Sequence, residues 1–177
     1  MNEAVEILIA KEAIRSLIMT YCQAADRKDY DLMRSLYHGD AIEIHGGFFE
    51  GPAMAFINKL PEIQQTMDML HHNITTLNIE VEGNYGEAEA YVLAVHRVKG
   101  ADGYFDITIG GRYLDQFAKR RGGWKFLKRT ILADWANVHE PSVMSMDHPM
   151  VKGALIGSAD GDDPSYRYFR LFKRGRN

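Results

Sequence analysis

Three polar side chains fall close to or among apolar neighbours in this sequence: Asp26, His72 and Arg129. An imidazole titrates near neutral pH, so it can take a proton from carbon or oxygen. A carboxylate beside it can hold one tautomer and stabilise the imidazolium. A guanidinium can meet negative charge as it builds on a ligand. The three together suit proton-transfer chemistry without a cofactor, provided that the fold gathers them around one cavity.

Arg129 carries the strongest signal. In an extended strand it shares a face with Leu127, Ile131, Ala133 and Trp135, while Lys128, Thr130 and Asp134 point the other way. A charge on an apolar face needs a partner, because an unpaired buried charge is very costly. A structural ion pair with Asp26 or Asp115 satisfies that need, and so does an electrophilic role towards a ligand. His72 shares its face with Leu70 and Ile74, as a satisfied core histidine or as a general base. The apolar phase then slips to Leu77, Ile79 and Val81, which predicts a bulge or a two-sided strand. Asp26 lies at the edge of a helical stripe, where a plain polar helix-end residue is the simplest account.

The elements that must position these residues follow from periodicity. Residues 3–28 repeat apolar side chains every three or four positions (Ile7, Ala10, Ile14, Leu17, Ile18, Tyr21, Cys22, Ala25), which predicts one amphipathic helix. Asp29 can cap a short second helix carrying Leu32, Met33, Leu36 and Tyr37. Ala41 to His45 alternates like a short strand. Gly51-Pro52 opens a third helix, which Pro61 kinks or ends. From residue 70 the period becomes two, with turn signals at 83–86, 100–103 and 120–123. The strands between them, 70–82, 87–99, 104–119 and 124–138, form an antiparallel meander. Helices first and an antiparallel sheet after them is an α+β plan, and such long strands must curl to cover a core. The glycines are read as turn residues.

Composition limits the remaining possibilities. The 177 residues are 46% hydrophobic and 25% charged with net charge −3, which suits one domain with a real core and gives no reason to expect nucleic acid. The basic cluster Lys173-Arg174-Gly175-Arg176 reads as a solvated terminus. No run is long enough to span a membrane, and the first residues lack the pattern of a signal peptide. The single cysteine, Cys22, fits a buried thiol in a reducing compartment, so a cytoplasmic protein is expected. No phosphate-binding loop appears, and His45, His72 and His96 lack the spacing of a metal site. Neither cofactor nor metal is expected.

Motifs add a family. Tyr21 to Leu32, then Leu36-Tyr37-His38-Gly39-Asp40-Ala41, resembles the opening of SnoaL-like proteins, in the superfamily named for nuclear transport factor 2. The resemblance continues through His71-His72, Ile79-Glu80-Val81-Glu82-Gly83, Gly110 to Asp115, and Trp124-Lys125-Phe126 to Asp134-Trp135. It implies a cone-shaped fold, a curved antiparallel sheet wrapped around the N-terminal helices (a cystatin-like α+β barrel), over residues 1–140. Residues 141–177 form a C-terminal extension whose apolar residues wrap across the sheet or dock on a neighbouring subunit. Within the superfamily the chain resembles scytalone dehydratase and hexachlorocyclohexane dehydrochlorinase. That resemblance implies Asp26 orienting His72 as general base, Arg129 as electrophile, and Tyr21 where the dehydrochlorinase has a lysine. His96 and Tyr113 are candidates for the dehydratase's second histidine and tyrosine, and Trp135 for a substrate contact.

The expected activity is elimination, isomerisation or cyclisation of a hydrophobic cyclic small molecule by a homo-oligomer, trimeric or dimeric. The alternative is a non-catalytic ligand-binding subunit, or the small subunit of an assembly like a ring-hydroxylating dioxygenase, which would co-purify with a larger iron-containing chain.

Overall fold

A computed structural model describes residues 2–121, 123–140, 148–149, 151–172 and 174–175. Helix α1 (Glu3–Asp26) starts where the Asn2 side chain accepts the Ala4 N–H, and buries the stripe Ala10, Ile14, Ile18, Tyr21, Cys22 and Ala25. The chain reverses at Lys28, which has φ 49°, and Asp29 caps α2 (Tyr30–Ser35) by accepting the Leu32 N–H. That helix is shorter than expected. Tyr37 begins strand β1 (Tyr37–Ile44) instead, with its ring buried against Phe126. Strand β2 (Glu50–Pro52) returns beside β1 and leads into α3 (Ala53–Ile63), which contains Pro61 two residues from its end.

The expected meander then follows as β3 (Met67–Glu82), β4 (Tyr85–Gly100), β5 (Gly103–Arg120) and β6 (Gly123–His139). A two-residue turn joins β3 to β4, and Gly83 takes φ +56° there, a conformation that a side chain disfavours. One curved, unclosed sheet has the order β2-β1-β6-β5-β4-β3. It is mixed rather than wholly antiparallel, because β1 runs parallel to β6. Helices and the inner sheet face share one core built on Ile14, Ile18, Phe56, Ile57, Phe117 and Phe126.

Two departures from alternation bear on which side chains face inwards. In β3 the register shifts between Ile74 and Leu77, the bulge that the apolar phase slip predicts. In β6 the pairing runs from Gly111–Ala133 to Gly110–Trp135, so Asp134 is the extra residue. Gly110 and Gly111 lie within β5, not in a turn. A side-chain carbon on Gly110 would sit 2.2 Å from the Trp135 indole, which occupies that space.

Past β6, residues 141–147 and 150 lie outside the described residues, including Val143, Met144, Met146 and Met150 of the expected apolar tail. The described part of the tail packs on the α1–α2 junction. Arg27 pairs with Asp163 at 3.2 Å, and the Gly175 N–H donates to Asp29 Oδ2 at 2.7 Å. Arg174 is not simply solvated. Its guanidinium donates to the carbonyls of Arg27 and Lys28, the groups that the end of α1 leaves unpaired. Lys173 and Arg176 of the same basic cluster lie outside the described residues. No helix among the described residues is long and apolar enough to cross a membrane.

Candidate active site

Asp26 is the last residue of α1, so its carboxylate projects from the helix end towards β3. One oxygen, Oδ1, accepts the backbone N–H of His72 at 3.0 Å and lies 2.7 Å from His72 Nδ1. An ionised carboxylate only accepts, so the ring proton belongs on Nδ1 and Nε2 keeps its lone pair. The helix end thus fixes both the strand and the tautomer. Both side chains are mostly buried, at 12% exposure for His72 and 15% for Asp26.

His72 lines a cavity of about 200 Å³ on the inner side of the sheet. Apolar walls come from Phe56, Leu60, Leu70, Val92, Ala94, Ile109 and Ile131, and polar groups from Tyr21, His45, Gln64, His72, His96 and Tyr113. A wider cleft of about 480 Å³ includes Glu80, Glu87, Glu89, Gln116 and Lys128 in its lining, and no histidine. The apolar cavity is where imidazole chemistry can occur.

His96, on β4, places its Nε2 3.4 Å from that of His72. Burial, reinforced by the His72 ring, lowers the His96 pKa to about 4, which makes it a neutral imidazole near pH 7. Burial raises the pKa values of the Tyr21 and Tyr113 hydroxyls well above the usual phenol value, so both stay neutral. Their rings meet edge to face at 6.0 Å. Burial also pushes the Cys22 thiol up to about 12, which removes it as a nucleophile near neutrality.

Two expected site residues are placed elsewhere. Arg129 is fully buried and forms a two-pronged pair with Asp115, both N–H···O distances 2.7 Å. Asp115 faces it directly in the β5–β6 register, and the guanidinium also lies 3.9, 4.2 and 4.4 Å from the rings of Tyr21, Tyr113 and Phe126. Burial works against the guanidinium's charge, but Asp115 outweighs it and holds the pKa well above the usual arginine value. Arg129 is absent from the cavity lining, where Tyr21 and Tyr113 stand instead. The ion pair, not the electrophile, describes its position. Trp135 is half-exposed on Gly110, because the bulge at Asp134 moves it off the face of Tyr113.

Besides Gln64 of the cavity lining, Glu43 and His45 are polar residues that the sequence reading did not place in the site. Their side chains pair at 3.0 Å, Glu43 is 1% exposed, and His45 lines the cavity against Phe56. Strand parity held a signal, since Ala41, Glu43 and His45 alternate onto one face.

Solved structures share this architecture. A provisionally named scytalone dehydratase from Novosphingobium aromaticivorans DSM 12444 is 20% identical, with a TM-score of 0.66 over 78% of this chain and 96% of that one. A hexachlorocyclohexane dehydrochlorinase of type 3 from Novosphingobium barchaimii LL02 is 19% identical, with a TM-score of 0.69 over 78% and 95%. A provisionally named aromatic ring hydroxylase from N. aromaticivorans is 23% identical, with a TM-score of 0.67 over 79% and 96%. At these identities the likeness is one of fold. No curated protein matches the chain. The SnoaL-like domain profile matches residues 6–130, and the chain belongs to that family.

Proposed function

We propose that the protein is a cofactor-independent lyase or isomerase in which His72, oriented by Asp26, removes a proton from carbon. The observation that carries this is the 2.7 Å contact between Asp26 Oδ1 and His72 Nδ1, on a histidine that lines an apolar cavity. The carboxylate sets the tautomer, and it stabilises the imidazolium once the proton has moved. The cavity's small volume and aromatic walls favour a cyclic, hydrophobic substrate over a charged or polymeric one. Its carbon acid needs a neighbouring carbonyl or electron-withdrawing group, because an imidazole cannot deprotonate an unactivated C–H. The dehydratase and dehydrochlorinase names among the solved relatives agree with this reaction class.

The test is hydrogen–deuterium exchange, followed by NMR in D2O, across a panel of cyclic ketones and cyclic β-hydroxy ketones. Wild type exchanges the proton next to the carbonyl, and His72→Gln slows that exchange by about 10²–10⁴-fold. Equal rates in the two proteins refute the proposal. The same proposal places the enzyme in the cytoplasm, where Cys22 stays a thiol, as a homo-oligomer. Exposed apolar residues of the tail (Leu155, Phe169, Leu171, Phe172) support the second point, and light scattering measures it.

A further inference from the structure

The cavity holds a second carboxylate–imidazole pair, and the proposed base leaves it without a task. His45 follows β1, whereas His72 lies on β3, and these strands stand at opposite ends of the run β1-β6-β5-β4-β3. Only the curl of the sheet brings both imidazoles to the lining of one cavity. His45 Nε2 is held by Glu43 Oε1 at 3.0 Å, and its ring stacks on Phe56 with centroids 4.0 Å apart. Among the described residues no protein group bonds to Nδ1, which leaves that atom for a ligand.

Charge gives the two imidazoles different work. Glu43 lies opposite Arg129 in the parallel β1–β6 register, and Arg129 is already paired with Asp115. This buried set contains two carboxylates and one guanidinium, and Glu43 Oε2 has no hydrogen-bond partner among the described residues. An imidazolium at His45 would make the set neutral, and a buried charge needs such compensation. Asp26 is 15% exposed and also accepts the His72 backbone N–H. Its charge therefore needs an imidazolium less than that of Glu43, which is 1% exposed with one oxygen unpartnered, and its histidine can serve as the unprotonated partner.

We propose that His45 is the general acid of the elimination, protonating the leaving group from Nδ1, and that Glu43 is its positioning residue. The proposal rests on His72 acting as the base. In the reaction, His72 Nε2 takes the proton from the carbon beside the carbonyl, and the C–H electron pair becomes the new double bond. The C–O bond at the neighbouring carbon breaks with its pair on oxygen, and His45 Nδ1–H protonates that oxygen to release water. His72 is then an imidazolium and His45 a neutral ring with its Nε2–H on Glu43. A proton leaving His72 to solvent, and one reaching His45 from solvent, restore both.

Leaving-group dependence tests this on the full-length protein, using cyclic ketones with a β-hydroxy or a β-aryloxy substituent. His45→Gln, confirmed as folded by circular dichroism, is compared with wild type by its ratio of elimination to α-proton exchange. That ratio falls about 10²–10⁴-fold for elimination of hydroxide, and far less for the aryloxide, which departs without protonation. Glu43→Gln shows the same leaving-group pattern more weakly, which a merely structural role would not produce. Unchanged hydroxide elimination in His45→Gln overturns the proposal and leaves the base intact. An equal loss of exchange and elimination in the folded variant also overturns it. Wild type that exchanges the proton but eliminates from no member of the panel refutes the acid alone, and wild type without exchange refutes acid and base together.

Discussion

Asp115→Asn isolates what Arg129 does. The substitution keeps the size of the side chain and removes its charge, leaving a guanidinium with no exposure opposite a neutral amide. With charge centres about 4 Å apart and an effective dielectric near 20, the lost attraction is about 4 kcal/mol. The rings of Tyr21, Tyr113 and Phe126 remain around the cation, and Glu43 stands across the β1–β6 pair, so part of the charge stays compensated. A loss of about 3 kcal/mol follows, at the low end of the cost of breaking a buried pair. That is a large share of a domain's typical 5–15 kcal/mol. Urea unfolding of wild type, Asp115→Asn and the double variant Asp115→Leu/Arg129→Met measures it. The double variant should recover most of the stability, because it removes both charges and their desolvation together. It should also keep α-proton exchange, since the aromatic rings separate the pair from the ligand. A loss below about 1 kcal/mol in Asp115→Asn would refute the buried-pair account. A stable double variant without exchange would return Arg129 to the chemistry.

Two further outcomes can be checked with simple variants. His96 has a folded pKa of about 4, lowered by burial and by His72, against an ordinary value near 6.5 when unfolded. The unfolded state therefore binds more protons between these values. The stability that His96 contributes is present above about pH 6.5 and is lost as pH falls through about 4, by an amount on the order of 3 kcal/mol. His96→Phe should flatten the pH dependence of the urea midpoint in that window, and an unchanged slope would contradict the assignment. Gly110→Ala should destabilise by about 1–3 kcal/mol, because its Cβ meets the Trp135 indole at 2.2 Å. Trp135→Ala in the same chain should relieve that clash, and calorimetry of the three variants decides it.

Local pattern determined much of this protein. The stripe from Ala10 to Ala25 set the helix, Asp29 marked the next cap, and three glycine-containing turns divided the four long strands. Each signal lies within a few residues of its effect, so it needs no knowledge of the fold. The slip after Ile74 even announced a bulge, because strand parity is a local count. Family motifs singled out Asp26 and His72, and the helix end and β3 do bring them together.

Tertiary structure decided what parity could not. Arg129 looked the same in sequence whether its partner was a ligand or Asp115, and only the β5–β6 register selects the carboxylate. Trp135 appeared to share a face with Arg129 and Ile131 until the extra residue at Asp134 shifted the count. The parallel pairing of β1 with β6 places Glu43 beside the buried charges, a relation between segments more than eighty residues apart. Sequence periodicity reports which side of an element is apolar. Which polar groups meet across the core depends on register and curvature, and those are fixed only when the whole sheet curls around its helices.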